Sequence, residues 1–185
     1  MAKHGVLFER DPFIEKCINR AGIFTEELDG GAPVVIDKVN AKEKELYDVK
    51  KYTSSADGQV AVVYNPSVKY DNINGKLFPA RSLDDRDYTN PAKVPFDFFI
   101  PEKNVGFGIN QWNLNSGNRS GLVVGDVLKP EASTGLWVKT STSSGKKPDG
   151  TEPAFIIEDI AEVKYPTGDF TEDKEKVYYV RTLQN

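Results

Sequence analysis

Hydrophobic and polar positions alternate with a period of two along most of this chain, and turn-forming residues interrupt the alternation at short intervals. Residues 34–37, 45–52 and 59–65 are β-branched or aromatic runs separated by Gly, Pro, Asn, Asp and Ser clusters. That spacing predicts short antiparallel strands of a sandwich or barrel, because such side chains fit a pleated, half-buried surface. Charges in 42–51 also fall at helical spacing, which leaves that stretch open between helix and strand. From Val60 onward nearly every element reads as a strand. Asn65-Pro66 and Asn74-Gly75 mark turns, the second a type I′ hairpin pair. Phe96 and Phe98 share one face of a strand and Phe99 takes the other. Residues 121–139 read as an entry strand, a tight turn, a Pro break and a second strand. Residues 154–165 and 176–183 are expected to pair antiparallel across a loop at 166–175.

The first thirty residues follow a different pattern. Asp11-Pro12 has the form of an N-cap followed by proline at the first helical position, where the missing N–H costs nothing. Phe13, Ile14, Cys17 and Ile18 recur at helical spacing and Gly22 can end the helix, which predicts a short amphipathic helix over 11–20. The expected organisation is an N-terminal arm and helix over 1–30 followed by a β-domain over 31–185. The fold class is mainly β, a compact antiparallel barrel or sandwich.

Composition narrows the partners. The chain has 185 residues, 24 basic and 28 acidic, for a net charge of −4. Residues 1–60, 61–150 and 151–185 carry −2, +2 and −4, so no stretch is basic enough to follow a phosphate backbone, and nucleic acid is not an expected partner. Cys17 is the single cysteine, which excludes an internal disulfide scaffold and fits maturation in a reducing cytoplasm. Met1-Ala-Lys-His-Gly is not followed by the roughly 7–15 apolar residues of a signal peptide, and no apolar run reaches the roughly 18 residues of a membrane span. The expectation is a protein without an export signal and without a membrane partner.

The residues that carry chemistry are few. His4 is the sole histidine and lies close to the N-terminus, badly placed to activate Cys17 or a serine. One His and one Cys rule out the common zinc-ligand spacings. Asp84, Asp85 and Asp87 form an acidic cluster beside Arg86, without the glycine or distal glutamate of an EF-hand loop. Gly106 and Gly108 sit inside a strand, where glycine marks a bulge or a close backbone approach rather than a phosphate cradle. Glu158 and Asp159 are adjacent on a strand and point to opposite faces, so they cannot face each other across a glycosidase cleft. Trp112 and Trp137 are either core residues or a stacking platform for a sugar or base. Asn118-Arg119-Ser120 has the form of a glycosylation sequon, which acts only in an exported chain. No catalytic residue, metal or cofactor is expected.

The motif Val123-Val124-Gly125-Asp126-Val127-Leu128, then Gly135-Leu136-Trp137-Val138, then Phe155-Ile156-Ile157 resembles the head decoration, or capsid cement, proteins of tailed bacteriophages. The stretch from Asp84-Asp85-Arg86-Asp87-Tyr88-Thr89-Asn90-Pro91 to Trp112 is similar to what precedes that unit in larger phage head proteins. The resemblance covers about residues 60–185. It implies a virion protein, made in the host cytoplasm, that sits on the outer capsid surface and stabilises contacts between major capsid subunits. It also implies the major capsid protein as partner and neighbouring copies of the same chain, trimers among them. A cement protein acts by binding the assembled lattice and not its dispersed subunits, so it raises the cost of disassembly by mass action. Val6, Leu7, Phe8, Arg10 and Phe13 are the candidate capsid contacts, as apolar and charged anchors on an extended N-terminal segment. A tail or baseplate β-protein and a carbohydrate-binding β-module are the alternatives.

Overall fold

The computed structural model describes residues 3–9, 17–67, 70–73, 76–79, 85–140, 151–166 and 172–185. The chain is mainly β, as its alternation predicts. Five strands close a barrel: β2 (Ile18–Ile23), β3 (Pro33–Val39), β4 (Leu46–Lys51), β5 (Val60–Val63) and β8 (Phe96–Ile100), in the order β2-β4-β3-β5-β8. All its pairings are antiparallel except β2 with β4. A six-stranded sheet packs beside it, built from β1 (Leu7–Phe8), β9 (Gly106–Asn110), β10 (Val127–Pro130), β11 (Trp137–Lys139), β12 (Ala154–Pro166) and β13 (Glu172–Gln184). Its strand order is β1-β9-β13-β12-β10-β11. A separate hairpin joins β6 (Tyr70–Ile73) to β7 (Lys76–Pro79), with Ile73 opposite Lys76.

Two cores explain why some strands alternate and others do not. Val34, Val49, Ala61, Val63, Phe96, Phe98 and Ile100 fill the barrel. Val35, Val60, Val62 and Phe99 point the other way, into a larger core shared with the six-stranded sheet. β5 is therefore buried on both faces and reads as an unbroken apolar run, whereas β8 places Phe96 and Phe98 opposite Phe99 as the alternation requires. Between barrel and sheet lies an aromatic chain. The ring of Phe99 stands 5.8 Å from Phe107, and Phe107 stands 6.0 Å from Trp137 and 5.8 Å from Phe155. Trp137 meets Phe155 edge-on at 4.9 Å, and its indole N–H donates to the Gly31 carbonyl at 2.8 Å, tying β11 to the loop before β3. This is the core role for Trp137 and excludes it as an exposed platform.

The N-terminal expectation needs correction. Ile18–Arg20 belong to strand β2, with Ile18 opposite Ile100, so the helix expected over 11–20 does not occupy its last residues. Pairing with β8 takes Ile18–Arg20 into a strand, and 10–16 lie outside the described residues. Residues 3–9 are not an arm projecting from the domain. Val6 and Leu7 are buried, and β1 pairs with β9 through Leu7–Ile109 and Phe8–Gly108. β1 and β2 are thus built into the two sheets. The stretch open between helix and strand resolves as β4, whose Leu46 and Val49 are buried, Val49 in the barrel core. Asn74-Gly75, Asp84 and the polar loop at 141–149 lie outside the described residues.

Candidate interaction surface

The turn before β10 is rigid and carries two exposed apolar side chains. Gly125 adopts φ 93°, a left-handed conformation that favours glycine, and its N–H donates to the Ile157 carbonyl at 2.8 Å. The Ile157 N–H returns a bond to the Asp126 carbonyl at 2.8 Å. The buried Asp126 carboxylate accepts from the Val123 N–H at 3.0 Å and from Lys139 Nζ at 2.8 Å. Gly125 and Asp126 therefore build the scaffold, and the residues they present are Val123 and Val124, 55% and 56% exposed. Leu122, one residue earlier, is buried in the shared core and anchors the turn from below.

The turn sits at the root of a long ribbon. β12 and β13 pair over their whole length, from Ala154–Gln184 to Pro166–Glu172, with irregularities between Ala154 and Phe155 and between Ile157 and Asp159. The pairing extends past the loop boundaries expected from the sequence, because strand residues Glu172 to Glu175 continue the ladder. β10 accompanies β12 only at Phe155 and Ile156, and β9 accompanies β13 only from Val177 to Arg181. Beyond both neighbours the hairpin runs on as two strands from the Glu162–Lys176 pair to the Pro166–Glu172 pair, roughly 17 Å at the usual rise per residue. A lone two-stranded ribbon is marginal in water, so its base needs anchoring.

A buried polar cluster supplies that anchor. Arg86, from the short 3-10 turn Asp85–Asp87, reaches the buried Glu175 carboxylate at 3.0 Å and Asp173 at 3.3 Å. Asn110 donates to the second oxygen of Glu175 at 3.3 Å, and Lys3 binds Asp173 at 2.7 Å, which holds that carboxyl below its ordinary range. The same cluster fastens the N-terminal segment. The His4 carbonyl accepts from Asn110, the Val6 N–H donates to Asn110 and Asn113, and Asn65 both accepts from the Leu7 N–H and donates to its carbonyl. Asp29 accepts from the Gly5 N–H at 2.8 Å and contacts His4 at 3.1 Å. Burial pushes the Asp29 carboxyl above its ordinary range, opposed by the bond from Gly5 and the charge of His4.

The remaining candidates have structural duties. Phe8 is half-buried against Gly108, where an added Cβ would come within 2.9 Å of Phe8 Cβ and the Tyr179 ring; this is the close approach expected of that glycine. Val6 and Leu7, buried as β1 forms, present no surface to a capsid, and Arg10 and Phe13 lie outside the described residues. Trp112 lies under the Arg119 guanidinium at 4.7 Å, which covers one ring face. Glu158 pairs with Arg181, and Asp159 accepts from the Ile160 N–H, so these carboxylates serve the strand edge and form no catalytic pair. Cys17 is buried in the shared core. A cleft of about 580 Å³ at one barrel end has Ile23 and Phe24 among its lining, with Lys38, Lys42 and Lys93 set against Asp37 and Asp48. Asp48 binds Asn40 at 2.6 Å and Lys38 at 4.0 Å, so the cleft carries no field of a single sign. Among the described residues no group of three or more His, Cys, Asp or Glu side chains could hold a metal ion, and no helix is long and apolar enough to cross a membrane.

Asn110, Asn113 and Glu175 are residues the sequence did not single out, while Asn65 and Arg86 read there only as a turn residue and as a neighbour of the acidic cluster. Their only trace is their type, since isolated Asn, Arg and Glu look the same on a surface as in a buried network. No family model, curated protein or solved structure matches the chain.

Proposed function

We propose that this chain is a structural virion protein that binds the outer surface of an assembled phage capsid and stabilises contacts between major capsid subunits. The observation that carries the proposal is the locked turn presenting Val123 and Val124. Two exposed valines on a backbone fixed by a buried carboxylate lose little further freedom on binding, so their burial contributes to affinity with a small entropic cost. The motif resemblance around this turn names the partner, the lattice of the major capsid protein. The ribbon that continues past β9 and β10 adds reach, which a protein bridging neighbouring subunits requires.

The test is sedimentation of the purified chain with intact capsid shells and, separately, with purified tails. Saturable co-sedimentation with shells is expected. Val123→Ser with Val124→Ser should keep the fold and weaken shell binding about thirtyfold, since burying each half-exposed valine supplies on the order of 1 kcal/mol. Co-sedimentation with tails in place of shells, or with neither, overturns the proposal, as does shell binding untouched by the double substitution.

A further inference from the structure

We propose that the cleft at the barrel end is a binding site for a small amphipathic anion, an apolar chain or ring that ends in a carboxylate or sulfonate, with Lys42 and Lys93 holding the charged end. The site needs no capsid, so it stands or falls separately from the capsid proposal.

The cleft is built as small-molecule sites are, from an apolar wall and a few polar groups on fixed backbone. Its volume of about 580 Å³ falls within the roughly 300–1,000 Å³ of such sites. Ile23 closes β2 and Phe24 follows it, Val49 comes from β4, and Ala41 lies in the loop between β3 and β4. Phe24 is only half-buried against the barrel core, so part of its surface is left for a ligand to cover. Lys93 sits at the rim with φ at 61°, a left-handed conformation that is strained for a residue with a side chain, and its N–H donates to the Phe24 carbonyl at 2.7 Å. Strain of this kind gathers at ligand clamps, where the surrounding structure holds it. Lys42 is set by Asn40, whose side chain accepts from the N–H groups of Lys42 at 2.9 Å and Glu43 at 3.0 Å and donates to Asp48 at 2.6 Å. Walls fixed before the ligand arrives lose little freedom when it binds.

The charges at the rim are mixed but not balanced. Lys38 stands 4.0 Å from Asp48, and setting that pair aside leaves the two ammonium groups of Lys42 and Lys93 against the one carboxylate of Asp37, a net charge of +1. Among the described residues neither Lys42 nor Lys93 forms an ion pair, so both ammonium groups are left to a ligand. An apolar wall beside surplus positive charge selects a ligand with the matching halves, an apolar body and an anionic head. A cation of the same shape meets repulsion at the rim, and an uncharged one gains the wall without the lysines.

The test is fluorescence titration of the full chain with anilinonaphthalene sulfonate, an aromatic sulfonate that brightens in apolar surroundings. It should bind saturably at one site per chain, and decanoate should displace it. Decyltrimethylammonium, with a tail of similar length and the opposite charge, should bind at least about tenfold more weakly than decanoate. Lys42→Gln combined with Lys93→Gly removes both ammonium groups, and glycine takes the left-handed backbone without strain, so the variant should stay folded. It should hold decanoate at least about tenfold more weakly at an undiminished urea midpoint. Ala41→Trp places a bulky side chain at an exposed loop position of the lining and should block both anions. The proposal is overturned by the absence of saturable binding, by a quaternary ammonium held as tightly as decanoate, or by decanoate binding that either variant leaves unchanged.

Discussion

Asp126 shows how one buried carboxylate can set the geometry of an exposed surface. It is 2% exposed, takes the Val123 N–H and Lys139, and so fixes where both valines stand. Replacing it by alanine removes two charge-assisted bonds and leaves the Val123 amide and the Lys139 ammonium without their partner. The expected loss is about 2–3 kcal/mol, read as a lower urea midpoint at unchanged slope. The turn itself was legible in the sequence, because Gly-Asp after a β-branched pair is a local signal. Its exposure was not, since nothing in Val123-Val124 distinguishes a displayed pair from a core strand.

The β12–β13 ribbon is long for an element of this kind, and its length depends on Arg86 and Glu175. Side-chain exposures of 3% and 1% place both charges away from water, where each is tolerable because it is paired, Arg86 with Glu175 and Asp173, and Glu175 with Arg86 and Asn110. Arg86→Leu strands Glu175 and should destabilise the fold by about 3–5 kcal/mol, measured by chemical denaturation, and should raise amide exchange in residues 172–176. Arg86→Leu combined with Glu175→Leu should recover much of that loss, because two apolar groups need no counter-charge. The hairpin was visible in the sequence as two apolar-alternating runs. Its anchor was not, since Arg86 and Glu175 lie 89 residues apart and meet only in the fold.

At the scale of the molecule, the N-terminal segment joins barrel, sheet and ribbon. Val6 and Leu7 are buried, and Asn65, Asn110, Asn113 and Asp29 take up backbone groups of residues 4–7 that the two-residue strand β1 cannot satisfy. Deleting residues 2–8 should therefore lower thermal stability of the whole β-domain rather than release a free arm. Leu7→Ala alone should cost about 2–5 kcal/mol by calorimetry or urea melting. A truncated chain that melts like the intact one would show the segment to be dispensable.

Local pattern sufficed for the mainly β class, the strand identity of β5 and β8, the two faces of Phe96, Phe98 and Phe99, and the turn at Gly125-Asp126. These features depend on period-two burial and on φ preferences, both written in neighbouring residues. Packing settled the rest. It closed five strands into a barrel with β2 as a stave, taking Ile18–Arg20 into a strand where a helix end was expected, because pairing with β8 satisfies a row of backbone groups that an isolated short helix would leave to marginal stability. It buried Trp137 and Leu7, left Val123 and Val124 in solvent, and brought Arg86 to Glu175. Each of those outcomes is a relation between residues distant in sequence, fixed by which surfaces the assembled sheets leave uncovered.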